Sequence, residues 1–324
     1  AGLQALTSVQ VKALSSTQFN SLSEANLQAI DAADLAALGT ATVAAIASNK
    51  INSLSTAQVK ALTSAQIRAL NTVQLQQLSE ENIASIDAAD IAAMTTTQLT
   101  NLKTNQIHAL SSAQIQAIST SALNLMGSSQ ISAWDSGQIA SLVTSQLVAL
   151  NSEQVSNLTP TQILGISPEG FATLNTTVIS ELTTEQIKSL SADYFTALTS
   201  KQAKVLTSAQ ISAIDSENIQ SISTQNFKVF SSVQIKGLNS QQITALSAEQ
   251  FNSIDSTEIP SVNYFSQVVD SSYFSEIDTK LLKALTTEQI ATLTPGQWAM
   301  FDEQVRDSLR LLDGFDDVDP DQNI

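Results

Sequence analysis

The chain has little of several residue types on which protein function often depends. Its 324 residues include no cysteine, one histidine, nine glycines and only 14% charged residues. Without cysteine there is no disulfide framework, thiolate nucleophile or zinc-thiolate site, and one histidine cannot supply a multi-histidine metal cluster or a catalytic relay. The net charge of −16 argues against a nucleic-acid partner, because such affinity depends on Lys and Arg neutralising phosphates. We therefore expect a protein that is not an enzyme.

Long apolar runs are also missing. No stretch of about 20 apolar residues is long enough to span a membrane, and no basic-then-apolar signal peptide opens the chain. We therefore expect no membrane-spanning segment. Ala1 already lies inside the repeat described next, which leads us to expect a processed product or part of a longer protein.

What the chain does have is an eight-residue repeat. Counting in steps of eight from Leu6 to Val262 gives 33 positions, and all of them are apolar. A second series, from Leu3 to Ile259, is apolar throughout as well, so the gaps between apolar positions alternate between three and five. The phase then slips by one residue between Val262 and Val269. An uninterrupted short period indicates a repeat architecture.

Each octad can be written cap-x-x-Gln-Ile-x-Ala-Leu. The residue after each Leu is Ser, Thr, Asp, Asn or Gly at 30 of 33 positions, and Gln, Asn, Asp or Glu follows three residues later at 26 of 32. This pattern is a repeated capping box, in which the cap oxygen accepts from the third backbone N–H and the Gln side chain reaches back to the N–H of the cap. Pro160, Pro168 and Pro295 directly follow a cap, where proline suits the first helical position. The pattern predicts one helix of about two turns per octad.

Two repeat geometries compete, a stack of short helices and a β-solenoid. The spacing favours helices, because odd gaps would place successive apolar side chains on opposite faces of a strand, whereas a gap of three keeps them on one face of a helix. Helices this short must bury their Ile and Leu edge against neighbours, and the small residue before each Leu lets the next coil approach. We therefore predict an all-α solenoid, or superhelix, of very short capped helices, one per octad. A buried amide ladder formed by the Gln column is a further structural hypothesis.

The repeat predicts three segments. We expect residues 1–263 to form the octapeptide-repeat α-solenoid, residues 264–312 to form a C-terminal cap of phase-shifted octads, and residues 313–324 to be an acidic tail or linker. From residue 264 onward there are twelve acidic and four basic residues and a concentration of aromatics, which suits the different outer face of a last coil. Within the array, the segment 22–38 recurs seven octads later as the segment 78–94, which indicates duplication of a block of octads.

The one candidate metal site lies in the acidic tail, in the sequence DDVDPDQN. Its alternating oxygen-bearing residues resemble the first half of a calcium loop: Asp317, Asp319, Asp321 and Asn323. There is no Gly at the turn and no closing Glu, so an acidic tail or linker is the favoured interpretation and a calcium site is the alternative. No other cofactor is expected.

We expect no catalytic residues elsewhere. His108 occupies an outward octad position and is predicted to be a solvated surface residue. The acidic pairs Asp31/Asp34 and Asp87/Asp90 fall on cap and box positions, so capping explains them better than two-carboxylate catalysis. The sequence also has no phosphate-binding loop and no dinucleotide fingerprint.

Several octads carry a family resemblance: residues 62–70 (LTSAQIRAL), 110–118 (LSSAQIQAI) and 285–293 (LTTEQIATL). They resemble the LTTAQI-type octapeptide arrays of very large bacterial secreted or cell-surface proteins, a group that includes proteins described as adhesins or haem-utilisation proteins. The resemblance extends from Leu3 to about Leu312. It implies an extracellular or cell-surface, repetitive, non-enzymatic segment, and the lack of cysteine is consistent with export. Haem binding is not carried over, because the chain lacks the His or Tyr pair expected of a haem site.

Two classes of function remain open. In the first, the array is structural: a stalk, or a fibre or filament subunit, of an adhesin-like protein. In the second, it is a binding solenoid that recognises a protein, peptide or glycan partner on its outer face. The uniformity of the octads favours the first, since no aromatic stripe or patch of one charge marks an outer face. Because the first octads and the last in-phase octads share a profile, we also expect self-association, either laterally or end to end, the latter giving open filaments.

Overall fold

The computed structural model describes residues 6–318, apart from the side chain of Asp317. Within this range every regular element is a helix and no strand is present. The α-helices are four to seven residues long, and from Ser8 to Ala248 each begins eight residues after the one before it. The chain is therefore an all-α solenoid of short helices, as the octad predicts, and the β-solenoid is ruled out.

The chain forms two compact units, residues 1–166 and residues 167–324. The helices of the first unit are α1 (Ser8–Lys12), α2 (Ser16–Asn20), α3 (Glu24–Gln28), α4 (Ala32–Leu35), α5 (Thr40–Ala44), α6 (Ser48–Asn52), α7 (Thr56–Lys60), α8 (Ser64–Ala69), α9 (Thr72–Gln77), α10 (Glu80–Ser85), α11 (Ala88–Ala93), α12 (Thr96–Thr100), α13 (Thr104–His108), α14 (Ser112–Ala117), α15 (Thr120–Leu125), α16 (Ser128–Ile131), α17 (Ser136–Ala140), α18 (Thr144–Ala149), α19 (Ser152–Ser156) and α20 (Pro160–Ile163).

The second unit has sixteen α-helices in the described range: α21 (Pro168–Phe171), α22 (Thr176–Ser180), α23 (Thr184–Ser189), α24 (Ala192–Ala197), α25 (Ser200–Ala203), α26 (Ser208–Ala213), α27 (Ser216–Ile219), α28 (Thr224–Phe227), α29 (Ser232–Lys236), α30 (Ser240–Ala245), α31 (Ala248–Asn252), α32 (Phe265–Val269), α33 (Thr279–Leu282), α34 (Thr287–Ile290), α35 (Pro295–Trp298) and α36 (Glu303–Leu309). It also has 3₁₀ helices at Ser256–Ser261, Phe274–Glu276 and Phe315–Asp317. The phase-shifted octads therefore lie inside this unit.

Helices begin at the predicted caps. Thr63 shows the full capping box: its Oγ1 accepts from the backbone N–H of Gln66 at 3.3 Å, and its own N–H donates to Gln66 Oε1 at 2.8 Å. Pro160, Pro168 and Pro295 each occupy the first helical position, as predicted. In most octads local hydrogen bonds therefore restart the helix before it can lengthen.

Gly39 and Ala47 precede helices with neither half of the capping box. Three other caps without a side-chain oxygen keep the Gln half of the box: Lys103, Gly127 and Val143. In each case the Gln three residues later accepts from the cap N–H, at 3.0, 3.0 and 3.2 Å respectively. These octads lose one half of the box and keep the other, which explains why the helical phase survives them.

Successive coils are related by a spacing of 28 residues, which is three and a half octads. Helices pack on the third helix along the chain, as α6 does on α9 and α8 on α11. The side chain of Gln66 reaches backbone carbonyls 28 and 31 residues earlier. Two such coils make seven octads, the distance between the similar segments 22–38 and 78–94. The duplicated block therefore corresponds to two turns of the solenoid.

The core consists of the two apolar columns of the octad. The last residue of each octad is at most 7% exposed from Ile30 to Leu309, and the Ile column is as deeply buried. The bulkier members Met94, Trp134 and Phe230 are buried as well. Because a fully buried Leu or Ile contributes roughly 1.5–3 kcal/mol, this packing stabilises helices that would be unstable alone.

The one-residue phase slip is absorbed at Tyr264. Its backbone has a φ of 59° and a ψ of 34°, the left-handed region that a bulky residue rarely adopts. Beyond the slip, Gln289 donates to the carbonyls of Ile259 and Val262, which are 30 and 27 residues earlier. Both distances along the chain are one residue shorter than elsewhere, so the coils continue to pack in register.

Aromatic residues form the interior of the last coil of the second unit. The ring of Trp298 lies 5.6 Å from that of Phe301 and 5.5 Å from that of Phe315, and all three are buried. The exposed side carries charged residues, among them the ion pair between Glu303 and Arg306 at 2.5 Å. This coil therefore has an aromatic interior and carries charged residues on its exposed side.

Candidate functional site: side-chain links between coils

The predicted calcium ligands Asp319, Asp321 and Asn323 lie outside the described residues, as does the side chain of Asp317. Among residues 6–318 no group of three or more His, Asp or Glu residues is placed to hold a metal ion. None of the helices in that range is long and apolar enough to cross a membrane. The features that organise the molecule are instead the side chains that link one coil to the next.

A column of buried Gln side chains forms the first set of links. Gln66 Nε2 donates to the carbonyls of Leu35 and Leu38, both at 2.9 Å, in the preceding coil. Its Oε1 at the same time accepts from the cap of its own helix. The same two carbonyl positions are reached by Gln58, Gln74, Gln98, Gln106, Gln114, Gln130, Gln146, Gln154, Gln202, Gln210, Gln234, Gln242 and Gln250. One side chain thus combines the predicted capping box with bonds to the preceding coil; the Gln amides donate to backbone carbonyls and not to one another, so they do not form the hypothesised amide ladder.

The acceptors in this column are carbonyls at the end of a short helix. An α-helix leaves its last four C=O groups without partners inside the helix. The carbonyl of Leu35 also accepts from the backbone N–H of Leu38, so the cost of about 1–3 kcal/mol for an unpaired buried carbonyl concerns the Leu38 position, to which the Gln of the next coil also donates. The amide of each such Gln therefore bonds to the end of one helix through its Nε2 and to the start of another through its Oε1.

A second set of links runs in the opposite direction, from the sixth octad position to a carbonyl in the following coil. Gln116 Nε2 donates to the carbonyl of Ser141 at 3.0 Å, 25 residues later. Equivalent links are made by Gln28, Gln76, Asn124 and Gln220. His108 belongs to this set, because its Nδ1 lies 2.9 Å from the carbonyl oxygen of Ala133. Since a carbonyl only accepts, Nδ1 carries the proton.

His108 is exposed, as predicted, but sequence reasoning missed its structural link. The signal that points to it is the recurrence of Asn and Gln at the same octad position. Among the described residues His108 belongs to no group of three or more His, Asp or Glu residues that could hold a metal ion.

The acidic pairs only partly match the capping prediction. Asp31 does cap its helix, since its Oδ1 accepts from the backbone N–H of Ala33 at 2.8 Å. Asp90 closes no capping box; its Oδ1 accepts from Ser64 Oγ at 2.5 Å, 26 residues earlier, and Asp34 pairs with a serine in the same way. Capping is therefore the wrong explanation for Asp34 and Asp90, because an Asp side chain is one methylene shorter than Glu and bonds to the neighbouring coil instead. Asp87 stands at the N-cap position of α11, but its side chain makes no capping hydrogen bond.

Tyr273 replaces Gln in the buried column after the phase slip. Its hydroxyl donates to the carbonyl of Ile243 at 2.7 Å, 30 residues earlier. Burial raises the pKa of Tyr273 to about 12, against a smaller lowering by a hydrogen bond to Ser271. The hydroxyl therefore remains a donor throughout the neutral pH range. Sequence reasoning missed this residue, which falls into the Gln column once the slip is counted.

Asn makes an incomplete version of the Gln link. Asn82 Nδ2 donates only to the carbonyl of Leu54, at 3.1 Å, and its helix has no capping box. Asn226 likewise reaches a single earlier carbonyl, that of Leu198. Because Asn is one methylene shorter than Gln, it cannot serve its own cap and two carbonyls together.

Asn82→Gln is therefore expected to stabilise the chain. The longer side chain can also reach the N–H of Ser79 and the carbonyl of Ile51, which is placed as the carbonyl of Leu35 is for Gln66. At about 0.5–1.5 kcal/mol per added hydrogen bond, we expect a gain of about 1–2 kcal/mol, measured as a higher urea midpoint at constant slope. The exposed Asn49→Gln is the control and should change little. A lower midpoint for Asn82→Gln would show that the site has no room for the added methylene.

Shallow grooves mark the outer face of the second unit. One has a volume of about 630 Å³ and is lined by polar residues that include Glu185, Lys188 and Asp215. Another, of about 390 Å³, runs beside Lys236 and Tyr264, and Tyr264 is 51% exposed. Both grooves are open to solvent.

A family model for the ALTTAQ repeat matches residues 27–64 and residues 83–120. These two stretches are similar to the ALTTAQ repeat. The two matched stretches begin seven octads apart, which is the length of two coils. No curated protein matches the chain. The match supports a repeat-array protein and covers less than half of the sequence.

Proposed function

We propose that the chain is a structural, non-catalytic segment of an extracellular or cell-surface, adhesin-like protein, acting as a stalk or as part of a fibre. The observation that carries the proposal is that the buried polar side chains bond one coil to the next. In interior coils the fourth-position side chain bonds mainly to carbonyls of the preceding coil, as Gln210 does to Ile179 and Leu182 at 2.8 Å. The buried polar groups of the array therefore hold coils together and do not converge on a substrate.

The exposed positions support the same proposal. Short uncharged side chains predominate, and charges are scattered: Lys60 and Asp87, for instance, lie 4.0 Å apart with both side chains more than half exposed. Such a pair contributes little to stability and forms no patch of one sign. A uniform polar exterior suits a segment whose task is to span distance in water.

Surface accessibility of the native protein tests the proposal. Intact source cells are labelled with an antibody against the chain before and after treatment with an external protease, and surface structures are imaged by negative stain. We expect labelling of intact cells that the protease removes. Labelling confined to lysed cells would contradict the extracellular location, and the catalytic alternative would require an activity that purified chain shows on its own.

The grooves of the second unit favour one alternative, a binding module for a protein, peptide or glycan. The exposed ring of Tyr264 beside Lys236 is the specific feature, because an aromatic ring next to a cation is a common element of recognition sites. Saturable binding to a glycan or peptide array that Tyr264→Ala abolishes would favour this alternative over a purely structural role.

A further inference from the structure

Three grooves on the outer face of the second unit adjoin one another. The first, of about 630 Å³, shares Ser212 and Asn239 with a second of about 440 Å³, which in turn shares Lys236 and Tyr264 with the third. The helices beneath them are stacked, since α23 packs on α26, α26 on α29, and α29 on the 3₁₀ helix Ser256–Ser261. The three grooves therefore form one elongated surface across successive coils, which we call the outer groove.

The outer groove contains a strained residue with an exposed ring. Tyr264 lines both the second and the third groove, and it is 51% exposed. Its φ of 59° places the backbone in the left-handed region, which is unfavourable for a residue with a Cβ and which glycine adopts readily. The phase slip requires only this backbone conformation, so glycine would satisfy the fold with less strain. Strain of this kind is concentrated at functional sites, and it therefore points to a role for the exposed ring.

The second and third grooves also contain hydrogen-bond donors. Asn263 Nδ2 donates to the carbonyl of Lys236 at 3.2 Å, and Asn239 Nδ2 donates to that of Ser212 at 3.4 Å. An amide nitrogen carries two N–H groups, so one of them remains on each Asn for a ligand. Lys236 is exposed, and its Nζ has no partner among the residues that the structure describes. A ligand in these grooves therefore meets three donors close to an aromatic ring.

The charge of the same two grooves favours a neutral ligand. Their charged lining residues are Lys236 and Glu288, one of each sign. A ligand of either charge would be attracted by one of them and repelled by the other. The remaining polar lining residues, apart from Tyr264, are Asn, Ser, Thr and Gln. Amides and hydroxyls of this kind bond readily to the hydroxyl groups of an uncharged ligand.

The two grooves lack the features on which peptide recognition depends. An extended peptide adds to an exposed strand edge, an amphipathic helix needs an apolar groove, and a polyproline segment needs a groove lined by aromatic rings. Residues 6–318 include no strand, and the only large apolar or aromatic side chains exposed in the two grooves are Val233 and Tyr264. A sugar needs less, because a single ring face can cover its C–H groups while amides bond to its hydroxyls.

We propose that the outer groove binds a neutral, linear glycan. One sugar stacks on the ring of Tyr264, and its hydroxyls bond to the side chains of Asn239, Asn263 and Lys236. Further sugars extend across the coil into the first groove. The proposal adds a binding site to the structural function and does not depend on it, because the Gln side chains that link the coils are buried in the interior.

A panel of neutral linear hexasaccharides, built from glucose, mannose, galactose or N-acetylglucosamine, is the probe. Each is titrated into the full chain labelled with ¹⁵N, and the side-chain amide signals of Asn239 and Asn263 are followed. We expect at least one member of the panel to shift both signals saturably, at one glycan per chain. The signal of Gln77, whose side chain is exposed in the first unit, should not move.

Tyr264→Gly separates binding from folding. Glycine adopts the left-handed conformation readily, so this variant should unfold at a higher urea concentration than the unmodified chain. It should nevertheless bind the glycan about tenfold or more weakly, because it lacks the ring. Tyr264→Phe keeps the ring and should bind more tightly than Tyr264→Gly. Val73→Ala, which shortens a side chain that is 57% exposed in the first unit, is the control and should change neither binding nor the urea midpoint.

Three results would overturn the proposal. They are the absence of a shift with every member of the panel at millimolar concentration, shifts that persist unchanged in Tyr264→Gly, and a lower urea midpoint for Tyr264→Gly, which would show that the fold itself requires the ring. Binding of a fixed library of linear peptides to the same amides, without glycan binding, would make the ligand a peptide and the proposal wrong. None of these results decides whether the protein lies at the cell surface, which the labelling of intact cells tests separately.

Discussion

Gln114→Glu is expected to leave a chain that folds near pH 4 and is about 3–5 kcal/mol less stable at pH 7. Gln114 is 2% exposed, and its Nε2 donates to the carbonyls of Ile83 and Ile86 at 2.9 and 2.7 Å. A carboxylate can still accept from the cap Ser111, but its second oxygen would face two carbonyl oxygens. Ala88, 26 residues earlier, has no hydroxyl to compensate as Ser64 does for a natural Asp.

The pH dependence follows from the same geometry. Burial and the facing carbonyls favour the neutral acid, so the pKa of the introduced carboxyl is raised in the folded chain above its unfolded value of about 4.3. Below that value both states are protonated, and the neutral acid can donate to one carbonyl. As the pH rises from there through the folded pKa, the unfolded state releases its proton first and stability is lost. Urea midpoints at several pH values between 4 and 7 measure the effect.

Gln77→Glu provides the matched control for this prediction. Gln77 is exposed in the same unit, and the substitution introduces the same charge without removing a buried donor. Its midpoint should change by no more than about 0.5 kcal/mol and show little dependence on pH between 4 and 7. Equal behaviour of the two variants would mean that losing the buried amide has no effect beyond that of the introduced negative charge. The role assigned to the Gln column would then be wrong.

The local part of this fold is predictable from the octad because its causes are local. A cap such as Thr63 and the Gln three residues later bond to each other within one helical turn, so the pattern identifies where helices begin. The alternating gaps of three and five are a local signal as well. They exclude a strand, because odd gaps would place successive apolar side chains on opposite faces. Some caps without an oxygen, such as Val143, still keep the Gln half of the box. Sequence reasoning therefore predicts the helices, their phase and the buried columns.

The links between coils are not predictable in this way, since their partners are far apart in the sequence. The spacing of 28 residues depends on how the helices turn relative to one another, and the octad does not encode that angle. Asp90 illustrates the consequence, because its position predicts a box whereas its contact is Ser64 in another coil. Tyr273 can be assigned to the Gln column only after the slip at Tyr264 has been located.

The duplication of seven octads shows how the coil spacing is nevertheless recorded in the sequence. Ser64 and Asp90 form one contact between coils, and the equivalent Ser8 and Asp34, seven octads earlier, form the same contact. Contacts made across coils are reproduced only if the duplicated block contains a whole number of coils. A block of seven octads satisfies this condition because it equals two coils of three and a half octads each.

Close approach between coils is most demanding at Gly165. It occupies the seventh octad position, which is Ala in many other octads, and this agrees with the prediction that a small residue there lets coils approach. A Cβ added to Gly165 would lie under 3.0 Å from the backbone carbonyl oxygen of Ser136 and 3.1 Å from the Cβ of Ile139. Gly237 meets Ser208 in the same way at 2.8 Å. At these two positions even Ala is too large without movement of a coil.

Gly165→Ala is accordingly expected to destabilise the chain by about 3 kcal/mol, because the neighbouring atom is backbone and cannot rotate away. Chemical denaturation measures this loss, and hydrogen exchange of α17 and α20 should show that it begins at this contact. Gly296→Ala is the control: its Cβ would have no neighbour closer than 3.9 Å, and in a helix the change should stabilise by about 0.5–1 kcal/mol. If Gly165→Ala also stabilised, the backbones of residues 136 and 165 would have to separate freely, and tight stacking of coils would not be what selects the small residue at this position.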